Sequence, residues 1–341
     1  MKPRLLSYSE IETAMTCWAR WDFAYGGRLA GDTLKSKSIA PILSDGRAWG
    51  AGVAAWHAAT DSLLAPIQAH HALSDSLDAD EAEMHDHGIP VDQVQRLESE
   101  NRLGEMLDHY MATASPLPNL TRLEGEVIVA IPSRSGKHAS TRYRFQCFLD
   151  GFTDADGEQW IVEFKLRRQL QQAALVQKSR QPRWYAWALT TSQNGHAPTG
   201  VLIDERLNDV PKPARILKSG KPSHAKDQLC TSEDYVAVCL AADEQPKIEI
   251  VEHLRTRQWQ QRIPLLFRSG EIDEAGQDLV SAAKLIRDLD SGVLTPVRNA
   301  SQFHCGGCRY REVCAEPSDK LFVDSLFERT VPKRLRELEV K

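Results

Sequence analysis

Helical and extended patterns of hydrophobic residues follow one another along the chain. The first helix is predicted over about residues 8–25, because Ser7 and Glu10 form a capping box at its start. Residues 46–64 form an apolar stretch rich in tryptophan and alanine and without proline, and residues 90–113 lie before a Pro-Leu-Pro segment. Both stretches predict helices, so the first third of the chain is expected to be mainly helical.

Extended patterns begin after this helical region. Three segments rich in Val, Ile, Phe and Tyr predict strands at residues 123–131, 143–149 and 160–166. Residues 133–137 and 154–157 separate them with turn chemistry, which favours an antiparallel meander.

Helices and strands alternate again over the remainder of the chain. The predicted elements are helices at 168–191, 253–267 and 275–289, strands at 199–204 and 234–240, and an exposed loop at 211–226. This order of elements predicts an α/β fold with one central mixed sheet.

Composition describes an ordinary globular protein with an uneven distribution of charge. The 341 residues suit two domains or one elaborated domain, and 42% hydrophobic with 26% charged residues excludes a mainly disordered or fibrous chain. The net charge of -5 argues against a partner bound through overall positive charge. Residues 165–183 nevertheless contain six basic and no acidic residues, and residues 212–226 are also basic and free of acids. These segments could contact a polyanion locally.

No segment has the pattern of a membrane anchor or a signal peptide. The longest uncharged run, residues 184–203, contains Asn194, His196 and Pro198, which do not suit a bilayer. Glu10 and Glu12 follow the first residues without an apolar stretch. We therefore expect a cytoplasmic protein whose seven cysteines do not form disulfides.

Two carboxylates and a lysine form the most informative group. Asp150 ends one predicted strand, and Glu163 and Lys165 lie two apart on the next, so their side chains share a face. Such oxygen ligands suit Mg²⁺ or Mn²⁺, and the lysine could stabilise a phosphate oxyanion or help deprotonate an attacking water. The alternative is a plain surface ion pair between Glu163 and Lys165, because so short a motif is common.

Further motifs surround this group in a fixed order. His57 lies upstream on a predicted helix, and Gln181 and Tyr185 lie one helical turn apart after the lysine. Pro182 is tolerated there only in the first turn of a helix. The order His, Asp, E-x-K and Q-x-x-x-Y resembles the RecB-like branch of the PD-(D/E)XK nucleases, and the resemblance covers about residues 7–316.

The resemblance implies a restriction-endonuclease-like core that cleaves phosphodiesters with a divalent metal, Mn²⁺ or Mg²⁺. The residues that it assigns to the metal are His57, Asp150, Glu163 and the backbone carbonyl of Phe164. The residues that it assigns to catalysis are Asp150, Glu163, Lys165, Gln181 and Tyr185. Glu124 matches a further acid near the family's site, with a surface residue as the equal alternative. Related exonucleases favour single-stranded ends, so the resemblance implies an exonuclease in DNA repair, recombination, or phage- or CRISPR-related DNA processing.

The cysteines form a second pattern near the C-terminal end. Cys305, Cys308 and Cys314 follow a C-x2-C-x5-C spacing with paired glycines, which favours a metal centre that needs a fourth thiolate. Thiolates alone suit either Zn²⁺ or a [4Fe-4S] cluster. Cys17 resembles the remote N-terminal ligand of the [4Fe-4S] cluster in CRISPR-associated RecB-like exonucleases and the AddB subunit. The other three cysteines are expected to be free and buried.

The expected domain boundaries follow from the resemblance. Residues 1–115 are the helical N-terminal region with Cys17 and His57, and residues 116–245 are the nuclease core. Residues 246–341 carry the last helices and the cysteine cluster, and they are expected to pack with the N-terminal region.

A basic segment after the E-x-K motif is the expected DNA-binding surface. Its arginines are Arg167, Arg168, Arg180 and Arg183. No G-x-x-x-x-G-K-[ST] loop occurs in the chain, so a helicase motor or recombination protein would be a separate partner. Two alternatives stay open. One is a non-catalytic nucleic-acid-binding recombination partner, and the other is a scaffold held by zinc.

Overall fold

The structure is a computed structural model that describes residues 3–37, 41–86, 88–121, 126–133, 138–155, 157–268 and 270–332. The helices are α1 (Tyr8–Thr16), α2 (Trp18–Trp21), a π-helical turn (Asp22–Gly26), α3 (Pro41–Ala58), α4 (Ala65–Asp86), α5 (Gln93–Thr113), α6 (Ala173–Val176), α7 (Arg180–Ser192), α8 (Ser232–Ala241), α9 (Ile248–Arg255), α10 (Glu271–Ser291), α11 (Gln302–Gly306) and α12 (Lys320–Leu326). Within the described ranges, no helix has both the length and the apolar character required to cross a bilayer.

The strands form mixed sheets, which confirms the predicted α/β class. They are β1 (Arg4–Ser7), β2 (Thr33–Ser36), β3 (Leu120–Thr121), β4 (Glu126–Pro132), β5 (Ala139–Phe148), β6 (Gly151–Ala155), β7 (Glu158–Arg167), β8 (Gly200–Leu207), β9 (Gln260–Leu266) and β10 (Phe327–Thr330). The largest sheet has the order β3-β6-β7-β8-β9, with β7 and β8 parallel and the other neighbours antiparallel. A second sheet has the order β1-β5-β4, and β2 pairs with β10.

Two packed layers cover the five-stranded sheet. On one face, Val162 and Phe164 of β7 pack against apolar residues of α3, α4 and α5. On the other face, Ile161 of β7 packs with α7, α10 and the inner face of the β1-β5-β4 sheet. Because successive side chains of a strand point to opposite faces, β7 contributes to both cores. Its odd-numbered residues therefore face α7.

Several predicted elements differ in the structure. Residues 8–25 do not form one helix, because Cys17 adopts an extended conformation between α1 and α2. The predicted strand at 234–240 is helix α8, which Thr231 caps by accepting a hydrogen bond from the amide of Asp234. Residues 253–267 do not form one helix either, and their second half is β9, with Ile263 buried against the core. In each case a cap or a long-range strand partner outweighs local composition.

The predicted meander is also divided. Strands β4 and β5 pair with each other, but β7 pairs with β6 and β8 in the other sheet. Residues 123–125 of the predicted first strand, which include Glu124, lie outside the described residues, as do 134–137 of the predicted turn. The predicted loop at 211–226 is irregular apart from one bridge between Ile216 and Pro222. The division of the chain into three regions stays a prediction.

A buried ion network ties the N-terminal strand to the last long helix. Arg4 donates hydrogen bonds to Glu10 at the start of α1 and to Asp290 near the end of α10. All three side chains are buried, so neither carboxylate has full access to water. The attraction of Glu10 and Asp290 outweighs the cost of burial and raises the pKa of Arg4.

We expect Arg4→Ala to lower the free energy of unfolding by about 3–5 kcal/mol, because two buried carboxylates lose their shared partner. Chemical denaturation at neutral pH measures this loss. The control is Arg215→Ala, since Arg215 is 54% exposed and its 3.8 Å pair with Asp227 should contribute less than about 1 kcal/mol. Equal losses in the two variants would contradict the role of the network.

Candidate active site

The E-x-K motif lies in the middle of the largest sheet. Glu163 and Lys165 project from the same face of β7, as their spacing predicts. The ammonium of Lys165 donates a 2.6 Å hydrogen bond to Oε2 of Glu163. Glu163 is buried and the side chain of Lys165 is 24% exposed. This pair is therefore a shielded ion pair beside solvent, not the plain surface pair of the alternative interpretation.

Asp150 joins this pair through the backbone of β7. Strands β6 and β7 stop pairing at Gly151 and Val162, so the next amide on that edge, that of Phe164, has no strand partner. Oδ2 of Asp150 accepts the hydrogen bond from this amide at 3.0 Å. The N–H and C=O of one strand residue point to the same side, so the Phe164 carbonyl also points towards Asp150.

Helix α7 brings the Q-x-x-x-Y motif to the same place. Nε2 of Gln181 lies 3.4 Å from Oε2 of Glu163 and donates a hydrogen bond to the Tyr185 hydroxyl at 3.0 Å. Ser179 is the N-cap residue, although its side chain makes no capping hydrogen bond, and Pro182 lies in the first turn. The structure thus brings Asp150, Glu163, Lys165, Gln181 and Tyr185 together.

Burial sets the electrostatics of the carboxylates. It raises the pKa of Glu163 to about 7, with Lys165 opposing and Asp150 adding to the shift. Burial also raises the pKa of Asp150, against the opposing charge of Lys165 and the hydrogen bond from Phe164. For Lys165, burial lowers the pKa, but attraction to Glu163 and Asp150 outweighs it and the pKa is raised. The positive charge of Lys165 is therefore not sufficient to stabilise both carboxylates in their ionised form.

The residues present fit a divalent cation. Oε1 of Glu163 is buried and has no hydrogen-bond partner among the described residues. A buried carboxylate oxygen without a partner is costly unless a cation or water satisfies it. Asp150, Glu163 and the Phe164 carbonyl supply hard oxygen donors of the kind that Mg²⁺ and Mn²⁺ prefer.

The raised pKa of Glu163 predicts a pH dependence of stability in the metal-free protein. Between pH 4.5 and about 7 the folded protein keeps a proton on Glu163 that the unfolded chain loses, so stability falls as pH rises. The expected contribution is about 3 kcal/mol over this window. Unfolding in EDTA at several pH values should show this slope, and Glu163→Gln should flatten it. Parallel slopes in the two proteins would contradict the shift.

His57 does not lie with these residues. Its ring stacks on the Phe164 ring at 5.8 Å and 12°, and Phe164 points to the face opposite Glu163. Nδ1 of His57 accepts a hydrogen bond from the Leu117 amide at 3.0 Å, and Nε2 lies 2.9 Å from the Tyr110 hydroxyl. Both ring nitrogens are therefore engaged, and the arrangement gives no support to the metal-ligand role expected for His57.

A buried network explains the position of His57. The Tyr110 hydroxyl donates to Asp204 at 2.6 Å, and Arg262 donates to the same carboxylate oxygen at 2.7 Å. Burial and the neighbouring Arg262 charge lower the pKa of His57 to about 3, so the ring is neutral. The histidine holds α3, α5, β8 and β9 together on the far side of the sheet.

Two residues near the site were missed by the sequence reasoning. The Tyr8 ring packs edge-on against Tyr185, with 6.3 Å between ring centroids, because the parallel pairing of β1 with β5 places the start of α1 there. Burial raises the pKa of Tyr8, and the charges of Lys165 and Glu163 also act on it. Burial and the Glu163 charge raise the pKa of the Cys147 thiol to about 12. No local signal marks either residue, since both contacts depend on long-range strand pairing.

The four predicted DNA-binding arginines have different surroundings. Arg167 pairs with the buried Glu205 at 3.1 Å, and Arg168 is exposed. Arg180 is 44% exposed and lies 3.7 Å from Glu12, a weak pair. Arg183 is half-buried, with Nε lacking a partner among the described residues.

The four predicted cluster cysteines line one cavity of about 90 Å³. They are Cys17, Cys305, Cys308 and Cys314. Apolar residues including Phe23, Tyr310 and Val313 pack around three of them. All seven cysteines are free, and within the described ranges no group of three or more His, Cys, Asp or Glu side chains stands ready to hold a metal ion. The structure thus brings the cysteines to one cavity without a ligating arrangement.

Comparison with known proteins establishes the family. The chain belongs to the PD-(D/E)XK nuclease superfamily, whose family model matches residues 5–315. Members of this superfamily are nucleases that use divalent metals such as Mg²⁺ or Mn²⁺. A solved structure titled "Crystal structure of SSO0001" has 12% sequence identity and a TM-score of 0.29, over 72% of this chain and 80% of that chain. That likeness is too low to carry an argument. No curated protein matches the chain.

Proposed function

We propose that this protein is a DNA exonuclease of the RecB-like branch that cleaves single-stranded ends with Mg²⁺ or Mn²⁺. The observation that carries the proposal is the convergence of Asp150, Glu163, Lys165 and Gln181. One buried oxygen of Glu163 there has no partner among the residues that the structure describes. A non-catalytic nucleic-acid-binding module has no physical need for such a group, because two buried, poorly neutralised acids beside a half-buried lysine destabilise a fold.

Each side chain has a distinct role in the proposed reaction. Asp150, Glu163 and the Phe164 carbonyl would hold the divalent cation, which supplies polarisation of the phosphodiester and activation of water when it is bound. Lys165 would stabilise the negative charge that develops on the phosphate oxygens. Gln181 and Tyr185 would orient Glu163 and the scissile phosphate, because their hydrogen bond fixes both on one face of α7.

A cleavage assay with labelled DNA tests this function directly. Linear single strands labelled at either end, circular single strands and duplexes should be incubated with Mg²⁺, Mn²⁺ or EDTA. We expect metal-dependent loss of linear single strands from one end, with circles resistant. Cleavage of circles would replace the exonuclease with an endonuclease. The absence of metal-dependent cleavage by well-folded protein would contradict the nuclease proposal and favour the non-catalytic module.

We propose further that the four-cysteine cavity holds a [4Fe-4S] cluster. The shared cavity, its apolar surround and a 3.4 Å hydrogen bond from the Asn299 amide to Sγ of Cys17 support this proposal, since iron–sulfur sites use thiolate ligands with amide donors around them. Anaerobic purification should give a brown protein that contains iron. A colourless protein with stoichiometric zinc would assign the cavity to zinc.

The cellular role is proposed from the same chemistry. An end-degrading nuclease without a motor of its own would act in repair, recombination, or phage- or CRISPR-related DNA processing beside a separate helicase or recombination protein. The cytoplasm is the proposed compartment, because its reducing conditions keep thiols available as metal ligands. Pull-down of a nucleotide-hydrolysing partner that stimulates cleavage would support this role.

The arginines at the start of α7 should contribute to DNA affinity through phosphate contacts. We expect Arg180→Gln with Arg183→Gln to weaken single-strand binding and to flatten its dependence on salt by roughly 0.7 in log–log slope per lost contact. Binding should be measured in EDTA over a series of salt concentrations. The control is Lys247→Gln with Arg255→Gln, two exposed residues of the α9 region. An unchanged slope in the α7 variant would assign these arginines to solvent.

A further inference from the structure

A separate pocket, lined by both charged and apolar residues, lies at the other end of β5 from the carboxylates. It has a volume of about 290 Å³ and opens between the β4–β5 hairpin and α10. Tyr143 lines it, seven residues before Asp150, which corresponds to about 23 Å of extended strand. The pocket is therefore separate from the proposed catalytic centre, and none of the site residues named above lines it.

Positive charge dominates this pocket. Arg142, Lys284 and Arg287 line it, and no acidic residue does so among the described residues. Arg142 lies over the Tyr143 ring, 5.5 Å from its centroid, and makes no ion pair with a described carboxylate. Lys284 is exposed and likewise makes none, whereas Arg287 pairs with its neighbour Asp288 at 2.9 Å. Two of the three cations thus lack a counter-charge within the described part of the chain.

Hydroxyl groups also line the pocket, together with four apolar residues. Oγ of Ser140 accepts hydrogen bonds from the amides of Arg142 and Tyr143, both at 3.2 Å, so its own proton is available to a ligand. Tyr143 is only 5% exposed, yet its buried hydroxyl has no partner among the described residues. A buried hydroxyl without a partner is rare unless an absent ligand or water satisfies it. Ser281 of α10 adds a hydroxyl that donates a long, 3.3 Å hydrogen bond to the Gln277 carbonyl.

We propose that this pocket binds a phosphate group, with Arg142 and Lys284 supplying charge and the hydroxyls of Tyr143 and Ser140 donating hydrogen bonds. Three cations, two available hydroxyl protons and no lining carboxylate match the oxygens of a phosphate and disfavour a cation or a neutral ligand. The volume equals that of about ten water molecules, so a phosphate with an attached sugar fits. The phosphate belongs either to the DNA strand outside the catalytic centre or to a free nucleotide. The DNA source rests on the proposed nuclease function, whereas the free-nucleotide source does not.

Binding measurements in EDTA test the pocket without cleavage. The probes are inorganic phosphate, dAMP, a trinucleotide and a long single-stranded oligonucleotide. The first variant is Tyr143→Phe, which removes one oxygen that has no partner in the described part of the chain, so the fold should be retained. The second is Arg142→Gln with Lys284→Gln, and its control of equal charge change is Lys247→Gln with Arg255→Gln. We expect each pocket variant to weaken binding about tenfold, as the loss of a hydrogen bond to a charged group does.

The probes distinguish the two sources of phosphate. If dAMP and inorganic phosphate bind the wild type and lose affinity in both pocket variants, the ligand is a free phosphate compound. If only the long oligonucleotide loses affinity, with a flatter salt dependence, the ligand is a distal phosphate of DNA. Equal binding of every probe by wild type, pocket variants and control would overturn the proposal. Loss of cleavage without a change in these affinities would concern the catalytic centre alone.

Discussion

Replacement of Lys165 by alanine is expected to reduce DNA cleavage by about a hundredfold or more, because the charge opposite the developing phosphate oxyanion is lost. Folding should change little. Lys165 is partly exposed, and Glu163, with its pKa already raised to about 7, can take up a proton in the metal-free protein when its partner is removed. Binding of Mn²⁺ should be retained, since the proposed oxygen donors all remain.

Single-turnover cleavage, thermal unfolding and Mn²⁺ titration of the same preparation measure these three properties. Lys247→Ala is the matched control, because Lys247 is an exposed lysine at the N-terminal end of α9 and lies outside the basic segment of residues 165–183. It should cleave at the wild-type rate. If Lys165→Ala cleaves within a few-fold of wild type, the assignment of this site is wrong.

Replacement of Cys308 by alanine is expected to lower thermal stability and solubility far more than Lys165→Ala. A metal centre joining Cys17 to Cys305 would close a loop of 288 residues, and cross-links over long loops remove several kcal/mol of denatured-state entropy in principle. Contacts beside the cavity also join the N-terminal and C-terminal parts of the chain, so they depend on the same metal centre. Tyr310 donates a 3.0 Å hydrogen bond to the carbonyl of Leu34, and β10 pairs with β2 beside the cavity.

Iron content, melting temperature and cleavage should be measured together for this variant. Cys239→Ala serves as the control, because Cys239 is buried in the small core of α8 and α9 and should affect packing there without changing iron content. We expect the activity of Cys308→Ala to fall in proportion to the folded fraction. A stable, fully folded Cys308→Ala protein without cleavage would show that the cluster acts in catalysis or DNA sensing.

Local periodicity was sufficient for the parts of the site that one element supplies. Alternation along β7 predicts that Glu163 and Lys165 share a face, and the helical repeat predicts that Gln181 and Tyr185 do so. Contacts between elements that are distant in the sequence could not be predicted from local periodicity. The resemblance placed His57 with the carboxylates, but the side of β7 on which α3 packs depends on the apolar residues of three helices. Tyr8 reaches the site only through the pairing of β1 with β5.

The same reasoning applies to the fold. The capping box predicted the start of α1, and the turns predicted the end of β5 and both ends of β7 to within two residues, because those signals are local. The start of β5 lies four residues before the predicted one. Residues 234–240 are rich in β-branched and aromatic side chains, but Thr231 caps a helix and Tyr235 and Cys239 bury one face of it. The sequence also gives no indication that β5 would lie in one sheet while β6 and β7 lie in another.

The hydrogen bond that the Phe164 amide donates to the Asp150 carboxylate links two layers of the protein mechanically. The Phe164 amide fixes Asp150 on one side, while the Phe164 ring rests against His57 in the helical layer on the other. The side chain at the middle position of the E-x-K motif thus serves packing against the helices and takes no part in the proposed reaction. A substitution at Tyr110 or Asp204 that tilts the His57 ring would rotate the Phe164 peptide and misalign a carboxylate it never touches. Inactivating mutations should therefore occur in the helical layer as well as around the carboxylates.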